Sequence, residues 1–160
     1  MTSLSYEAAR DEIFTMFMEA WTQGTPPLNG GSLFPVHWMG LEESSAPNAD
    51  LTYAAVYLSH LPDPRQTLTG GAGTVRYERR GLLTVQLHVP IDDGQALRLG
   101  PKLAKIIVDA YEGKHSPSGV WFRNVRIQEI GTASGGLATQ RSSERYQINV
   151  YAEFIYDEIK

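Results

Sequence analysis

Apolar residues recur at helical spacing near the start of the chain. Between residues 5 and 22 they lie three or four positions apart, which places them on one side of a helix. Ser5 can cap the start of this helix, and Gly24 followed by Pro26 and Pro27 ends it. We therefore predict a first helix that packs one apolar face on the core. That face comprises Tyr6, Ala9, Ile13, Met16, Phe17, Ala20 and Trp21.

A second helical pattern covers residues 92–114. Asp92 and Asp93 are placed to cap its start, because carboxylates favour the first turn of a helix. Pro101 leaves two alternatives: it starts the helix in its first turn, or it kinks a longer helix that begins near Gly94. The predicted apolar stripe comprises Leu99, Leu103, Ile106, Ile107 and Ala110.

Strands are predicted for most of the remaining chain. Residues 83–89 alternate strictly between apolar and polar side chains, which is typical of a strand with one buried face. A strand through Arg76 and Tyr77 precedes it, and we predict a turn between the two at Arg80 and Gly81. The other predicted strands are an edge strand within 34–39, a strand at 51–61, a short extended piece at 66–69, and two long strands at 119–131 and 145–159.

The order of these elements predicts an α+β fold. We expect a small mixed, mostly antiparallel β-sheet with two main helices packed on it, in a single domain covering residues 1–160. Irregular loops are expected at about 23–50 and 132–144, where Gly, Pro, Ser and other small polar residues are frequent. Two helices are few for a sheet of five or six strands. The alternatives are a sheet covered on both faces by helices and a sheet that uses one face to bind a neighbouring subunit.

Composition limits the classes of function. Lys and Arg number 14 against 18 Asp and Glu, giving a formal net charge of -4. This acidic balance argues against a protein that reads DNA sequence, although DNA could still pass through an assembly of such chains. The absence of cysteine excludes disulfides, thiolate zinc sites and cysteine nucleophiles. No apolar run approaches the roughly 20 residues that span a bilayer, and the polar start predicts a protein that stays in the cytoplasm.

No motif with a known chemical mechanism is found. The four histidines lie in different predicted elements without metal-ligand spacing. The glycines of TGGAGT precede a strand and not a helix, so they form no phosphate cradle, and HSPSG lacks the spacing of a nucleophile elbow. We therefore expect no catalytic, cofactor-binding or metal-binding residues. The alternative from another class is a monomeric ligand-binding module, or a small enzyme whose site converges from distant positions.

Long segments of the chain resemble one family of phage proteins, in the same order. The segments are YEAARDEIFTMF near the start, RQTLTGGAGTVRYERRGLLTVQLHVPIDDG at 65–94, ALRLGPKLAKIIVDAYEGK, GVWFRNVRIQEIG and the closing RYQINVYAEFIYDE. Together they are similar to the tail terminator, or tail completion, proteins of long-tailed phages. The irregular segments at 23–50 and 132–144 depart from the pattern expected of that family.

The resemblance implies a structural role in the virion. Members of the family form a homohexameric ring on the head-proximal end of the tail tube, where the ring ends tube polymerisation and offers a docking surface to the head. The implied partners are further copies of the chain, the tail tube protein and the head–tail connector or neck protein, with DNA only passing through the lumen. Assembly would take place in the host cytoplasm. A neck completion protein or a minor tail subunit is the alternative within the same class.

Arginines and one tyrosine are the candidate interface residues. The arginines around Gly81 suggest a basic hairpin, for which a catalytic arm, a nucleic-acid contact and a protein–protein contact are all open. Under the ring hypothesis they would pair with acidic groups of the next subunit, such as Glu42, Glu43 or the Asp157-Glu158 end, and the alternative is a solvated hairpin. The candidate interface residues are Arg76, Arg79, Arg80, Arg141, Arg145 and Tyr151.

Overall fold

A computed structural model describes residues 4–40, 51–62, 65–68, 75–91, 95–132 and 145–160 of the chain. Two α-helices, six β-strands and one short 3-10 helix, Pro26–Leu28, lie in these ranges. The helices are α1 (Tyr6–Gly24) and α2 (Gln95–Tyr111). The strands are β1 (Val36–Trp38), β2 (Tyr53–His60), β3 (Arg65–Leu68), β4 (Val75–Pro90), β5 (Trp121–Thr132) and β6 (Arg145–Ile159).

Five of the six strands form a mixed sheet in the order β1-β2-β4-β6-β5, and β3 joins the sheet by pairing with β4. β1 runs parallel to β2, and the other pairs are antiparallel. β3 pairs with the first part of β4, from Val75 to Glu78, while β2 pairs with the later part, from Gly81 to His88. The predicted α+β class with a mixed, mostly antiparallel sheet and two packed helices is confirmed.

Helix α1 begins and packs as its sequence pattern predicts. The Ser5 hydroxyl accepts a hydrogen bond from the Ala8 amide at 3.2 Å, which caps the first turn. The Trp21 indole N–H donates to the Phe34 carbonyl at 2.9 Å and fixes the helix end to the segment before β1. Four residues of the predicted face are buried: Ala9, Ile13, Phe17 and Trp21. Tyr6, on the same face at the start of the helix, is 49% exposed, and its ring contacts the His60 ring of β2 with centroids 4.5 Å apart.

Helix α2 is the longer of the two alternatives, because it begins at Gln95 and contains Pro101 in its interior. Leu103 and Ile107 are fully buried on its predicted stripe. At its end the Tyr111 hydroxyl donates to the Ile13 carbonyl at 2.8 Å, which joins α2 to α1. The predicted cap residues, Asp92 and Asp93, lie outside the described residues.

The predicted turn at Arg80 and Gly81 is wrong. Both residues lie in the middle of β4, which runs for 16 residues without interruption. Gly81 pairs with Phe154 of β6, and a Cβ atom on Gly81 would come well inside 3.0 Å of the Phe154 ring and of the Ser59 carbonyl oxygen. The glycine is therefore explained by an aromatic ring lying across the strand and not by a change of chain direction.

Both helices pack on the same face of the sheet, here called the helix face. Their buried side chains form one cluster with alternate residues of the strands, such as Val56, Val85 and Val150. The opposite face, here called the open face, carries the intervening residues, and no described helix packs on it. Its principal side chains are Tyr53 and Tyr57 of β2, Gln86 and His88 of β4, Gln147, Asn149, Tyr151 and Glu153 of β6, and Trp121, Arg123 and Arg126 of β5.

Parts of the two predicted loops contain regular structure or lie outside the described ranges. The segment predicted as an irregular loop at 23–50 contains Pro26–Leu28 and β1, and its residues 41–50 are not described. Of the second predicted loop, residues 133–144 lie outside the description. Neither described helix is both long and apolar enough to cross a membrane.

Candidate functional site

One end of the open face is built around Tyr53. The His88 ring stacks on the Tyr53 ring, with centroids 4.6 Å apart, and the Arg145 guanidinium lies 5.2 Å from the centre of the tyrosine ring. Arg145 also donates a hydrogen bond to the Tyr53 hydroxyl at 2.7 Å. Burial, and then the charge of Arg145, lower the pKa of His88 to about 4. His88 is therefore neutral at pH 7, and Arg145 supplies the positive charge.

The centre of the open face is a chain of hydrogen bonds along β6. The Gln147 amide donates to the Asn149 side-chain oxygen at 2.9 Å, and the Asn149 amide donates to the Tyr151 hydroxyl at 2.9 Å. Asn149 is buried, and the Arg126 guanidinium lies 5.1 Å from the centre of the Tyr151 ring. Each group therefore orients the next one along the strand.

The β5 side of the open face is shaped by a β-bulge. The pairing register with β6 shifts between Arg123 and Arg126, and Asn124 within this shift has a left-handed backbone with φ of 49°. The Glu153 carboxylate accepts two hydrogen bonds, one from the Arg126 guanidinium at 3.1 Å and one from the Asn124 side-chain amide at 2.9 Å.

Arg123 and Trp121 are left available for contact on this side. Arg123 is the register partner of Glu153, yet it contacts no acceptor within the part of the chain that the structure describes. Trp121, two positions earlier on the same face, is 52% exposed. The His115 ring covers one side of the indole, with centroids 4.6 Å apart. An exposed tryptophan beside an unpaired arginine is the composition of an interface hot spot.

A cavity of about 400 Å³ opens on the open face where β5, β6 and β4 meet. Leu82 and Ile155 contribute apolar lining from the open face, and Arg80 and Arg123 are its cationic residues. This recess offers a place for an apolar side chain next to the Arg123 guanidinium, which has no acceptor among the described residues.

The three arginines around Gly81 do not form one basic cluster. Arg79 lies on the helix face, where its Nε donates to Glu158 at 2.8 Å, while Arg76 and Arg80 lie on the open face. Arg76 pairs with Asp157, and Arg80 pairs with Glu78 at 2.8 Å. Two of the acidic groups expected to come from a neighbour, Asp157 and Glu158, are therefore partners within the same chain.

Two titratable groups on the helix face, His60 and Tyr156, belong to an aromatic cluster. The His60 Nε2 and the Tyr156 hydroxyl are 3.1 Å apart, and the His60 ring packs edge-on against Phe154 with centroids 5.0 Å apart. Burial, with a further contribution from the Arg79 charge, lowers the pKa of His60, and burial raises the pKa of Tyr156 to about 12. Both groups are thus uncharged at neutral pH and serve the packing around Phe154.

Charge is distributed unequally between the two sides of the molecule. The described residues place five arginines on the open face, Arg76, Arg80, Arg123, Arg126 and Arg145, against three carboxylates, Glu78, Glu153 and Asp157. The solvent side of α1 is acidic, with Glu7, Asp11 and Glu19 exposed. The open face is therefore the more basic side of an acidic chain, and α1 is an acidic surface on the opposite side.

A groove of about 720 Å³ runs along α1 beside Trp38 of β1. Phe14, Met18 and Trp38 form its apolar floor, and Asp11 and Glu19 are its acidic residues. The Phe14 and Trp38 rings meet edge to face, with centroids 5.1 Å apart, and Arg10 lies 5.3 Å from the centre of the Phe14 ring. The groove combines a hydrophobic floor with negative charge on its walls.

The described residues bring no three His, Asp or Glu side chains together as a metal-ion site. Ser116, a buried hydroxyl, accepts a hydrogen bond from the Val120 amide at 2.9 Å and so serves the turn before β5.

The structure brings together some of the predicted interface residues. Arg145 and Tyr151 lie on the open face as components of its hydrogen-bonded network, and Arg76 and Arg80 lie on the same face in β4. Arg79 lies on the other face, and Arg141 is outside the described residues.

Trp121 and Arg123 were missed by the sequence reasoning. The alternation in VWFRN, with buried Val120 and Phe122 between them, already indicates that the two residues share an exposed face. The sequence does not show that Glu153 accepts hydrogen bonds from Asn124 and Arg126. Because of that pairing, Arg123 has no acceptor among the described residues.

Comparison with known proteins supports the fold and carries no function. No family model matches the chain, and no curated protein matches it. One similar solved structure, whose name states no function, has 16% sequence identity and a TM-score of 0.57. The match covers 91% of this chain and 94% of that one, so the similarity extends over the whole architecture.

Proposed function

We propose that this chain is a subunit of a phage tail terminator. Six copies form a closed ring on the head-proximal end of the tail tube, where the ring ends tube polymerisation and presents a docking surface to the neck of the head. The role is structural and requires no catalytic residue. The supporting arguments are the sequence resemblance, which covers most of the chain, and the form of the sheet.

The observation that carries the proposal is the open face of the sheet. Both helices pack on the other face, and the open face carries aromatic and arginine side chains, including Tyr57, Trp121 and Arg123. Aromatic residues and arginine are enriched at the centres of protein interfaces, and a large exposed apolar patch on a small domain marks an interaction site. A neighbouring subunit on this face would complete the burial that the chain leaves incomplete.

The charge distribution agrees with a ring whose subunits associate front to back. A ring arises when one surface of a subunit binds a different surface of the next, so the two surfaces must be complementary and not identical. The open face has an excess of arginines, and α1 on the other side has exposed carboxylates. The chain's net charge of -4 also suits a channel through which DNA passes without binding tightly.

The direct test is tube growth. Tail-tube subunits of the same phage are allowed to polymerise with and without this protein, and tube lengths are measured by electron microscopy. We expect tubes that stop growing and carry an added ring at one end. Tubes that lengthen equally in both reactions would contradict the proposal. Binding to the isolated head–tail connector without any effect on the tube would instead identify a neck completion protein.

A further inference from the structure

The side chains left available at the β5 edge form a projecting pair. Trp121 and Arg123 alternate on the open face of β5, the last strand at one side of the sheet. Trp121 is 52% exposed although His115 covers one side of it, and Arg123 has no acceptor among the described residues. An indole and a guanidinium side by side require a partner with an apolar floor and carboxylates beside it.

A surface of that description lies at the other side of the sheet. The groove along α1 borders Trp38 of β1, the strand at the opposite edge, and its floor consists of Phe14, Met18 and Trp38. Aromatic rings and a methionine sulfur are favourable neighbours for an inserted indole. The groove is wide and open to solvent, so an indole has room to lie on its floor.

The charges of the two surfaces are complementary. Asp11 and Glu19 line the groove, and each has an exposed side chain without a cationic partner among the described residues, while Arg10 lies over the Phe14 ring. An arginine entering beside the indole would meet carboxylates that can accept its paired N–H donors. The two surfaces lie at opposite edges of one sheet, so one copy can offer its β5 edge while its own groove remains free for another copy.

We infer that Trp121 and Arg123 of one copy insert into the α1 groove of the next copy. This contact would be the heterologous interface that closes the ring. The inference rests on the proposed function, because it requires that the chain forms a ring. The occupant of the groove is a second copy of this chain. Trp121 fills the floor between Phe14, Met18 and Trp38, and Arg123 pairs with Asp11 and Glu19.

The test uses two variants, each with one damaged surface. The first carries Trp121→Ala and Arg123→Glu, and the second carries Asp11→Arg and Glu19→Arg. Each alone should lose self-association, with the dissociation constant raised roughly thirty-fold or more, as for loss of an interface hot spot. Mixed together they should form a dimer and no larger species, because one intact edge meets one intact groove. All measurements are made with and without tail-tube subunits.

A matched control and a charge exchange complete the design. The control carries Leu97→Ala and Lys102→Glu, which repeat an apolar truncation and a charge reversal at exposed positions of α2. It should form rings like the unaltered chain. A chain with Arg123→Glu, Asp11→Arg and Glu19→Arg together should regain the ring, because the opposite charges face each other again. Thermal unfolding of every variant establishes that it is folded.

The outcomes separate this interface from the proposed function. If the unaltered chain and the control form no ring, even with tail-tube subunits, the proposed function fails and the inference fails with it. If the damaged variants form rings as the unaltered chain does, the function stands and the interface is wrong. Rings that form normally but no longer cap tubes would assign the surface to the tube partner and overturn the inference. Variants that stay apart when mixed would also overturn it.

Discussion

Gly81 occupies the middle of a 16-residue strand, a position where glycine ordinarily weakens strand pairing. Here the missing side chain makes room for the Phe154 ring from the neighbouring strand, and His60 packs against that ring in turn. A Cβ atom at this position would collide with both the Phe154 ring and the Ser59 carbonyl oxygen, so the local packing of β2, β4 and β6 requires glycine.

Substitution of Gly81 tests this explanation. Gly81→Ala places a Cβ well inside 3.0 Å of both the Phe154 ring and the Ser59 carbonyl oxygen. We expect the free energy of unfolding to fall by about 1–3 kcal/mol, the usual cost of overpacking a core. Thr84→Ala in the same strand should change it by about 0.5 kcal/mol. Denaturant unfolding measures both, and equal effects would show that the Phe154 contact does not constrain the strand.

His88 makes stability depend on pH in a defined window. Its pKa is lowered from its ordinary 6.5 to about 4 by burial and by Arg145, so the unfolded chain binds this proton more readily than the folded chain. The stability due to neutral His88 is complete above pH 6.5 and is lost as the pH falls towards 4. The slope should reach at most about 1.4 kcal/mol per pH unit.

The variant His88→Gln measures that contribution, because glutamine does not titrate. We expect its free energy of unfolding to fall less steeply than that of the unaltered chain between pH 6.5 and 4. His60, whose pKa is also lowered, remains in both chains and its contribution cancels in the comparison. Parallel curves for the two proteins would contradict the assignment.

At the scale of elements, helix α2 contains an unfavourable residue at an exposed position. Pro101 lies in the helix interior, where it cannot donate a backbone hydrogen bond, and the preceding Gly100 is packed so closely on Ile148 that a Cβ would meet that side chain at 2.8 Å. Gly100 and Pro101, two residues that disfavour a helix, therefore lie next to each other where α2 packs on β6.

Pro101→Ala is expected to stabilise the chain. Restoring a backbone donor in a helix interior should raise the free energy of unfolding by about 1–3 kcal/mol. Lys102→Ala, at the next exposed position, should have an effect near zero. Chemical denaturation of the two variants is a sufficient measurement. A loss of stability in Pro101→Ala would mean that the packing of α2 on β6 depends on a bend at Pro101.

The helices and most strands could be predicted from the sequence, because each produces a periodic pattern of apolar residues over a short segment. The caps and apolar face of α1 and the alternation after Gly81 in β4 can be read from neighbouring residues. The turn predicted at Arg80 and Gly81 failed for a physical reason. Glycine is frequent in turns, but the Phe154 ring that accounts for it here comes from a distant part of the chain.

At the scale of the whole molecule, the sequence indicated that one face of the sheet could lack helices. It did not indicate which side chains on that face are available for binding. The count of helices already suggested one uncovered face. Which arginines remain available depends on tertiary pairing: Arg79 pairs with Glu158, Arg126 pairs with Glu153, and Arg123 has no partner among the described residues. A list of arginines in the sequence could not make that distinction.

In the proposed ring, the open face of one copy meets the α1 side of the next copy, and six such contacts close the ring. The most direct measurement is the mass of the purified protein by light scattering, alone and after addition of tail-tube subunits. We expect a particle of six times the 17.7 kDa chain mass, either for the protein alone or after it meets the tube end. A chain that remains at 17.7 kDa in both conditions would contradict it.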